Sequence, residues 1–190
     1  MKKKSLISLF IALAAALPLG AAEPDDELLS DNILGLPSQI VPAAGMELLD
    51  DNLPNLKLAE DMISFAKTHL GTRYRHGGKT PAGFDCSGFT GYVFNKFGFK
   101  LGASSGDQFL QGTPVEKKSD VMPGDLLFFN GRAVGGRIGH VGIAIDYDPE
   151  TDVITFIHSS NSTGISIDKT SAPYYSRRFR GIRRIITSAD

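Results

Sequence analysis

The chain has 190 residues, 42% of them hydrophobic, and a formal net charge of −1 at pH 7. This length suits one domain with additional segments, and the lack of a basic excess argues against nucleic acid as the main partner. The single cysteine cannot form a disulfide within its own chain, so its presence needs another explanation.

The first 22 residues have the pattern of a secretory signal peptide. Three lysines precede an apolar run over 6–17, Pro18 ends that run, and the small residues Gly20 and Ala22 suit cleavage after Ala22. The run is shorter than a membrane-spanning helix requires. We therefore expect a cleaved signal peptide over 1–22, no integral membrane segment in the mature protein, and a secreted or periplasmic location.

Residues 23–56 differ in composition from the rest of the chain. They contain eight acidic residues, four prolines and neither lysine nor arginine. We interpret them as an acidic arm or linker that is too short to have a core of its own. The folded domain is then predicted over 57–190, where 17 Lys and Arg residues outnumber 13 Asp and Glu residues.

Apolar residues at helical spacing predict a first helix over 58–70, which Gly71 would end. The next segment, GTRYRHGGKTPAGFDCSGF, begins at residue 71 and contains the tetrapeptide GGKT. A phosphate-binding loop would require glycine where Arg73 stands, and no strand precedes it. We interpret this segment as a glycine-rich turn whose backbone approaches the following helix closely.

The segment FDCSGFTGYVFNKFG, residues 84–98, places Cys86 at the predicted start of a helix. Asp85 is a typical N-cap residue, apolar residues recur at helical spacing, and Gly98 supplies the end. A thiol in the first turn faces unpaired backbone N–H groups and the positive end of the helix dipole, which favour the thiolate. Because cysteines usually pair in an oxidising compartment, an unpaired cysteine in an exported protein indicates a reactive thiol. A small, buried core cysteine is the alternative.

Beyond this helix, the pattern predicts a short helix capped by Ser104 or Ser105, a turn at 122–125 and a series of apolar strands. Because the strands follow the helices with short connections, we expect an α+β fold with helices packed on an antiparallel sheet. The predicted strands are Leu126–Phe129, Ile138–Ile145, Val153–Ser160, Ile165–Asp168 and Ile182–Thr187.

Two histidines, His140 and His158, lie on consecutive predicted strands joined by the turn sequence DPET. A five-residue loop over 147–151 puts them directly opposite each other, and opposed residues point to the same face of a sheet. A slip of one residue would place them on opposite faces. The simplest register therefore makes the two imidazoles neighbours.

A cysteine at a helix start and two histidines on one sheet face are the residues that nucleophilic acyl transfer needs. Cys86 would attack a carbonyl, His140 would take the thiol proton and pass it to the leaving amine, and His158 would orient His140. The backbone N–H of Cys86 would stabilise the oxyanion. This chemistry needs no metal and no organic cofactor. A zinc site is the alternative use of the three residues, although they lack the short paired spacings of structural zinc sites.

The segments YRHGG, FDCSGF, GDLLFF, GHVGIAI and FIHSS together resemble the NlpC family of bacterial cell-wall cysteine endopeptidases, over about residues 59–186. The resemblance implies a papain-like α+β fold with the cysteine helix packed on an antiparallel sheet. It also implies hydrolysis of an amide in peptidoglycan stem peptides or cross-links, at a γ-D-glutamyl–diamino acid or D-Ala–diamino acid bond. It places the catalytic roles on Cys86, His140 and His158.

The resemblance further implies substrate-binding roles for Tyr74, near the nucleophile, and for Asp85 and Ser87, which flank the cysteine. The alternative for Tyr74 is an aromatic core residue, that for Asp85 is the helix cap alone, and that for Ser87 is a surface hydroxyl in the first turn. We expect a monomer whose partners are peptidoglycan peptides. Two other functions stay open, namely a non-catalytic wall-binding module and an acyl or amide transferase that uses the same cysteine and histidines.

Overall fold

Residues 53–187 are described by a computed structural model of the chain, in which helices pack against a six-stranded antiparallel sheet. The predicted signal peptide and all but the last four residues of the predicted arm lie outside the described residues. The expected α+β fold is confirmed. No helix within 53–187 combines the length and the apolar character that crossing a bilayer requires.

The predicted helices are present, together with a fourth, short helix that was not predicted. The first helix differs most from its predicted bounds. It starts at Leu53 instead of residue 58, because Pro54 falls in its first turn, where a missing N–H costs no helical hydrogen bond. It also ends three residues early, since the final turn tightens into bonds between residues three apart. The helices are α1 (Leu53–Lys67), α2 (Cys86–Lys96), α3 (Ser105–Phe109) and α4 (Pro173–Ser176).

The predicted strands are all present, and three short ones were not predicted. The last predicted strand lies three residues earlier than expected, because arginines interrupt its apolar pattern. The main sheet has the order β3-β8-β4-β5-β6-β7, and β1 and β2 form a separate two-stranded sheet. The strands are β1 (Lys79–Thr80), β2 (Gly83–Phe84), β3 (Thr113–Val115), β4 (Leu126–Asn130), β5 (Ile138–Asp148), β6 (Val153–Ser160), β7 (Gly164–Lys169) and β8 (Phe179–Arg184).

The predicted register between β5 and β6 is wrong by two residues at His158 and by three residues beside the turn. Gly142, rather than His140, lies opposite His158, because β5 continues to Asp148 and the pairing shifts between Ala144 and Asp146. A shift of two residues preserves the face on which a side chain lies. His140 and His158 therefore still share a face, as diagonal rather than directly opposed neighbours.

Buried apolar side chains form two clusters, on opposite faces of the sheet. The first joins α1 and α2 to the sheet through residues such as Phe89 and Val141, which confirms that the cysteine helix packs on an antiparallel sheet. The second contains Phe129 and Phe156, whose rings also contact the two histidines. Burial on both faces fixes the strands that carry the candidate site.

Candidate active site

The start of α2 is held by a network around Asp85. Its Oδ1 accepts a hydrogen bond from the backbone N–H of Gly88 at 2.6 Å, and its Oδ2 accepts one from that of Gly77 at 3.0 Å. The Asp85 N–H donates to the carbonyl of Gly78 at 2.9 Å. A side chain at Gly88 would overlap that same carbonyl. The glycine-rich turn therefore packs directly on the first turn of α2, as predicted, and fixes the position of Cys86.

The thiol of Cys86 is half-buried against the segment of β5 that carries His140. Its Sγ lies 4.0 Å from the carbonyl oxygen of Gly139, and the N–H of Val141 is also close enough to act on it. Burial nevertheless raises the pKa of Cys86, and the charge of Asp85 adds to this, against the opposing effect of three backbone N–H groups. The expected preference for thiolate is therefore wrong in direction, because the helix start is outweighed by burial.

A continuous series of hydrogen bonds runs from His140 to a carboxylate. The Nε2 of His140 lies 3.0 Å from the Nδ1 of His158, and the Nε2 of His158 lies 2.7 Å from the Oδ2 of Asp168. An ionised carboxylate only accepts, so the proton of His158 is on its Nε2. Its Nδ1 then accepts from the Nε2–H of His140. The Nδ1 of His140 is left with its lone pair, and it has no hydrogen-bond partner within 53–187.

Both imidazoles are neutral at pH 7. Burial and the neighbouring His158 lower the pKa of His140 to about 3. Burial also lowers the pKa of His158, although its bond to Asp168 acts in the opposite direction. A neutral imidazole can bind a metal as well as a proton. However, no three His, Cys, Asp or Glu side chains in the described part of the chain are arranged to hold a metal ion.

Asp168 was missed by the sequence reasoning, although the strand that carries it was predicted. On β7 the polar residues Ser166 and Asp168 alternate with isoleucines, and Ser166 pairs directly with His158. Alternation with a period of two indicates that Ser166 and Asp168 lie on one face of β7, so this pattern could have predicted that both share a face with His158. Tyr175, whose hydroxyl lies 3.2 Å from the Nε2 of His158, gave no such signal, because it lies on the unpredicted α4.

The three predicted substrate-binding residues lie around Cys86. Tyr74 is half-buried and forms an isolated β-bridge with Phe84, two residues before Cys86. Burial, followed by the charges of Cys86 and Asp85, raises the pKa of Tyr74. The carboxylate oxygens of Asp85 are engaged with backbone N–H groups, as its helix-cap alternative requires. The hydroxyl of Ser87 lies 3.2 Å from both the Oδ1 of Asp85 and the carbonyl of Ala103, and it borders a cleft of about 380 Å³.

Comparison with known proteins identifies the family of this fold and site. The model of the NlpC/P60 family matches residues 71–184, which is more than half of the chain. The chain belongs to the NlpC/P60 family. The NlpC/P60 match includes Cys86, both histidines and Asp168, and it confirms the family that the sequence motifs resembled.

Individual NlpC/P60 proteins align with the same part of the chain. A probable endopeptidase p60 from Listeria grayi is 38% identical over 120 residues, which are 63% of this chain and 21% of that protein. The murein DD-endopeptidase MepS/murein LD-carboxypeptidase of Escherichia coli K12 is 36% identical over 118 residues, 62% of this chain and 57% of that one. This chain therefore spans less than two thirds of the length of either relative.

Solved NlpC/P60 structures support the papain-like α+β fold. The crystal structure of an NlpC/P60 family protein from Bacillus cereus ATCC 10987 superposes with a TM-score of 0.61 at 32% identity. The superposed region covers 68% of this chain and 40% of the Bacillus cereus chain. The NlpC/p60 domain of the peptidoglycan hydrolase SagA superposes with a TM-score of 0.55 at 29% identity, covering 67% of this chain and 98% of its own.

Proposed function

We propose that this protein is a cysteine peptidase that hydrolyses amide bonds in peptidoglycan stem peptides or cross-links. The observation that carries the proposal is the hydrogen-bonded series from Asp168 through His158 to His140, on the strand segment that borders Cys86. The named activities of the p60 and murein endopeptidase relatives support the substrate class.

The first step joins the substrate acyl group to the enzyme. As Sγ of Cys86 attacks the amide carbonyl, its proton passes to the free Nδ1 of His140. The resulting imidazolium donates through Nε2 to His158, whose own Nε2–H donates to Asp168. His140 then gives the proton to the leaving amine, the C–N bond breaks, and a thioester remains on Cys86.

The second step releases the acyl group. A water molecule gives its proton to the Nδ1 of His140 while its oxygen attacks the thioester carbonyl. The C–S bond breaks, the proton returns to the sulfur of Cys86, and a carboxylic acid leaves. The net reaction consumes one water molecule per amide, and neither half needs a metal or an organic cofactor.

The raised pKa of Cys86 and the lowered pKa of His140 favour a neutral thiol and a neutral imidazole before substrate binds. Proton transfer is therefore expected to accompany attack, when negative charge moves from sulfur to the carbonyl oxygen. The backbone N–H of Cys86 at the start of α2 is the donor for that oxyanion, and a donor of this kind contributes on the order of 3 kcal/mol.

The scissile bond and the substrate contacts are finer parts of the proposal. We assign the bond to the γ-D-glutamyl–diamino acid or D-Ala–diamino acid linkage. We assign substrate contacts to Tyr74, which pairs with Phe84 close to Cys86, and to Ser87, which borders a cleft of about 380 Å³. Asp85 positions Cys86 through the cap of α2. Its Oδ2 accepts from the N–H of Gly77 and keeps a second lone pair that can accept from a substrate ammonium group.

The same proposal includes where and in what form the protein acts. The predicted signal peptide over 1–22 and the murein endopeptidase name of the Escherichia coli relative support action outside the cytoplasm, in a periplasm or beyond the cell. We propose a mature monomer in which the acidic arm, 23–52 after correction for the start of α1, precedes the peptidase domain.

Digestion of purified stem peptides and cross-linked muropeptides, followed by mass spectrometry, tests the proposal. Hydrolysis gives two fragments whose masses sum to the substrate plus one water, and the bond follows from the fragments. The Cys86→Ala variant should give no fragments while unfolding at the same temperature. Products joined to an added amine would indicate a transferase instead. Peptides that bind but remain intact with the wild-type protein would indicate a binding module.

A further inference from the structure

A cleft of about 710 Å³ opens beside the thiol of Cys86. It lies between the start of α3, the connection from β4 to β5 over residues 131–137, and β8. Gly139 belongs to its lining, and the carbonyl oxygen of this residue lies 4.0 Å from the Sγ of Cys86. This cleft is therefore within reach of a substrate whose scissile bond meets the thiol.

The lining of this cleft is strongly cationic. Arg132, Arg137 and Arg180 line it, and no acidic residue does. All three arginines are exposed, and none of them forms an ion pair with a carboxylate of residues 53–187. Arg184 provides the contrast, since its Nε and Nη2 donate to the two oxygens of Asp125 at 2.9 and 2.8 Å. Three neighbouring guanidinium groups without a counter-charge favour an anionic ligand.

The loop that carries two of these arginines is held in a defined shape. Asn130, which is buried, donates from Nδ2 to the carbonyl of Gly136, and its Oδ1 accepts from the N–H of Gly135 at 2.9 Å. Arg178 donates from Nε to the carbonyl of Gly131 at 3.2 Å. Both ends of the loop are therefore fixed before a ligand arrives, which lowers the entropy cost of using Arg132 and Arg137.

We propose that this arginine cleft binds the free carboxylates of the peptide on one side of the scissile bond. A guanidinium group matches a carboxylate through two parallel N–H···O bonds. A γ-linked glutamate keeps its α-carboxylate free, and a dicarboxylic diamino acid carries one carboxylate more than lysine does. This inference rests on the proposed function. It predicts that the enzyme cleaves a substrate with free carboxylates faster than the same substrate with amidated carboxylates.

Cleavage rates on a matched pair of substrates test this specificity. The pair is one muropeptide with free carboxylates and the same muropeptide with these carboxylates converted to carboxamides. We expect the wild-type kcat/KM to be about tenfold or more higher for the free form, in keeping with charge-assisted hydrogen bonds. In Arg137→Gln/Arg180→Gln this preference should shrink to about twofold or less, through loss of rate on the free form alone.

The matched control removes the same number of positive charges elsewhere. Lys67→Gln/Lys96→Gln changes exposed lysines at the ends of α1 and α2, outside the arginine cleft, and it should keep the wild-type preference. Arg137→Lys/Arg180→Lys should give an intermediate value, because it keeps the charge but loses the paired donors. The inference is overturned if Arg137→Gln/Arg180→Gln discriminates between the two substrates as the wild type does.

Binding measured on Cys86→Ala separates this inference from the proposed function. If the wild-type protein cleaves neither muropeptide, the peptidase proposal fails, but calorimetry with Cys86→Ala still reports on the cleft. Tighter binding of the free-carboxylate muropeptide by about tenfold, lost when Arg137 and Arg180 are also replaced by Gln, would support the cleft. Equal affinity for both muropeptides, or no binding of either, would overturn it.

Discussion

The Nε2 of His158 lies 2.7 Å from the Oδ2 of Asp168, and this contact determines the tautomers of both histidines. The side chain of His158 is fully buried, whereas that of Asp168 is 38% exposed. The carboxylate of Asp168 therefore contacts water on one side while it accepts from the imidazole of His158 on the other. Nε2 of His158 is therefore the donor to Asp168, and Nδ1 of His158 accepts from Nε2–H of His140. Nδ1 of His140 is then the nitrogen that can accept a proton.

Replacing Asp168 by asparagine should lower kcat/KM by about a hundredfold or more, as loss of the orienting carboxylate does in other nucleophile–histidine systems. The amide NH₂ of asparagine can donate to Nε2 of His158, which moves its proton to Nδ1. His140 would then carry its proton on Nδ1, where the thiol proton has to arrive. The measurement is the pH profile of kcat/KM for Asp168→Asn beside that of the wild type.

Asp146→Asn is the control for this change, since Asp146 is an exposed carboxylate on β5. It should keep the wild-type rate. The unfolding temperature of Asp168→Asn should stay within a few degrees of the wild type, which separates positioning from a loss of fold. Full activity in Asp168→Asn would contradict the assigned tautomers.

Alkylation of Cys86 by iodoacetamide should be slow at pH 6 and rise with pH. Because burial raises the pKa of the thiol, the half-maximal rate in the native protein should lie above that of an ordinary cysteine, which is about pH 8.5. The same protein unfolded in guanidinium chloride provides the ordinary value for comparison. Rapid alkylation of the native protein at pH 6 would show that the helix start outweighs burial after all.

The free energy of unfolding should decrease as the pH falls below about 6.5. The folded protein holds the pKa of His140 at about 3, whereas the unfolded chain has the ordinary value near 6.5, so the unfolded state binds more protons between these values. The stabilisation is present above pH 6.5 and is lost as the pH falls toward 3. For this shift, the loss between pH 7 and pH 5 is on the order of 2 kcal/mol.

Denaturant unfolding of the wild type and His140→Asn at pH 7 and pH 5 measures this effect. The variant should lose less stability than the wild type over this range, and the lowered pKa of His158 should supply part of the slope that remains. His76→Asn is the matched control, because His76 is exposed in the glycine-rich turn and should leave the slope unchanged. Equal slopes for His140→Asn and the wild type would refute the assignment.

Gly142→Ala should reduce both stability and activity. A Cβ atom at this position would lie 2.6 Å from the Cδ2 of Phe156 and 3.1 Å from the Cβ of His158, and both of those side chains are fully buried. Relieving the overlap would cost about 1–3 kcal/mol and would move His158 away from His140.

Gly91→Ala serves as the stability control for Gly142→Ala. Gly91 lies within α2, and the nearest atom to an added Cβ is 3.9 Å away. This variant should be as stable as the wild type or slightly more so, because alanine is the better helix former. A Gly142→Ala protein with wild-type stability would show that Phe156 and His158 are less tightly packed than the structure indicates.

The sequence by itself determined the features that depend on neighbours along the chain. The N-cap at Asp85, the helix that begins at Cys86 and the strands that carry His140 and His158 followed from spacing and capping, which are local properties. The shared face of the two histidines also survived the error in register, because side chains on a strand alternate with a period of two.

Only the tertiary structure decided what depends on burial and on contacts between distant segments. The pairing shift in β5, the contact of Asp168 with His158 and the raised pKa of Cys86 each require knowing which groups surround a residue. Burial changes the free energy of a charged group by more than the N–H groups of a helix's first turn do. The extent of burial depends on packing across the whole domain. The local pattern therefore located the reactive groups, and packing set their protonation states.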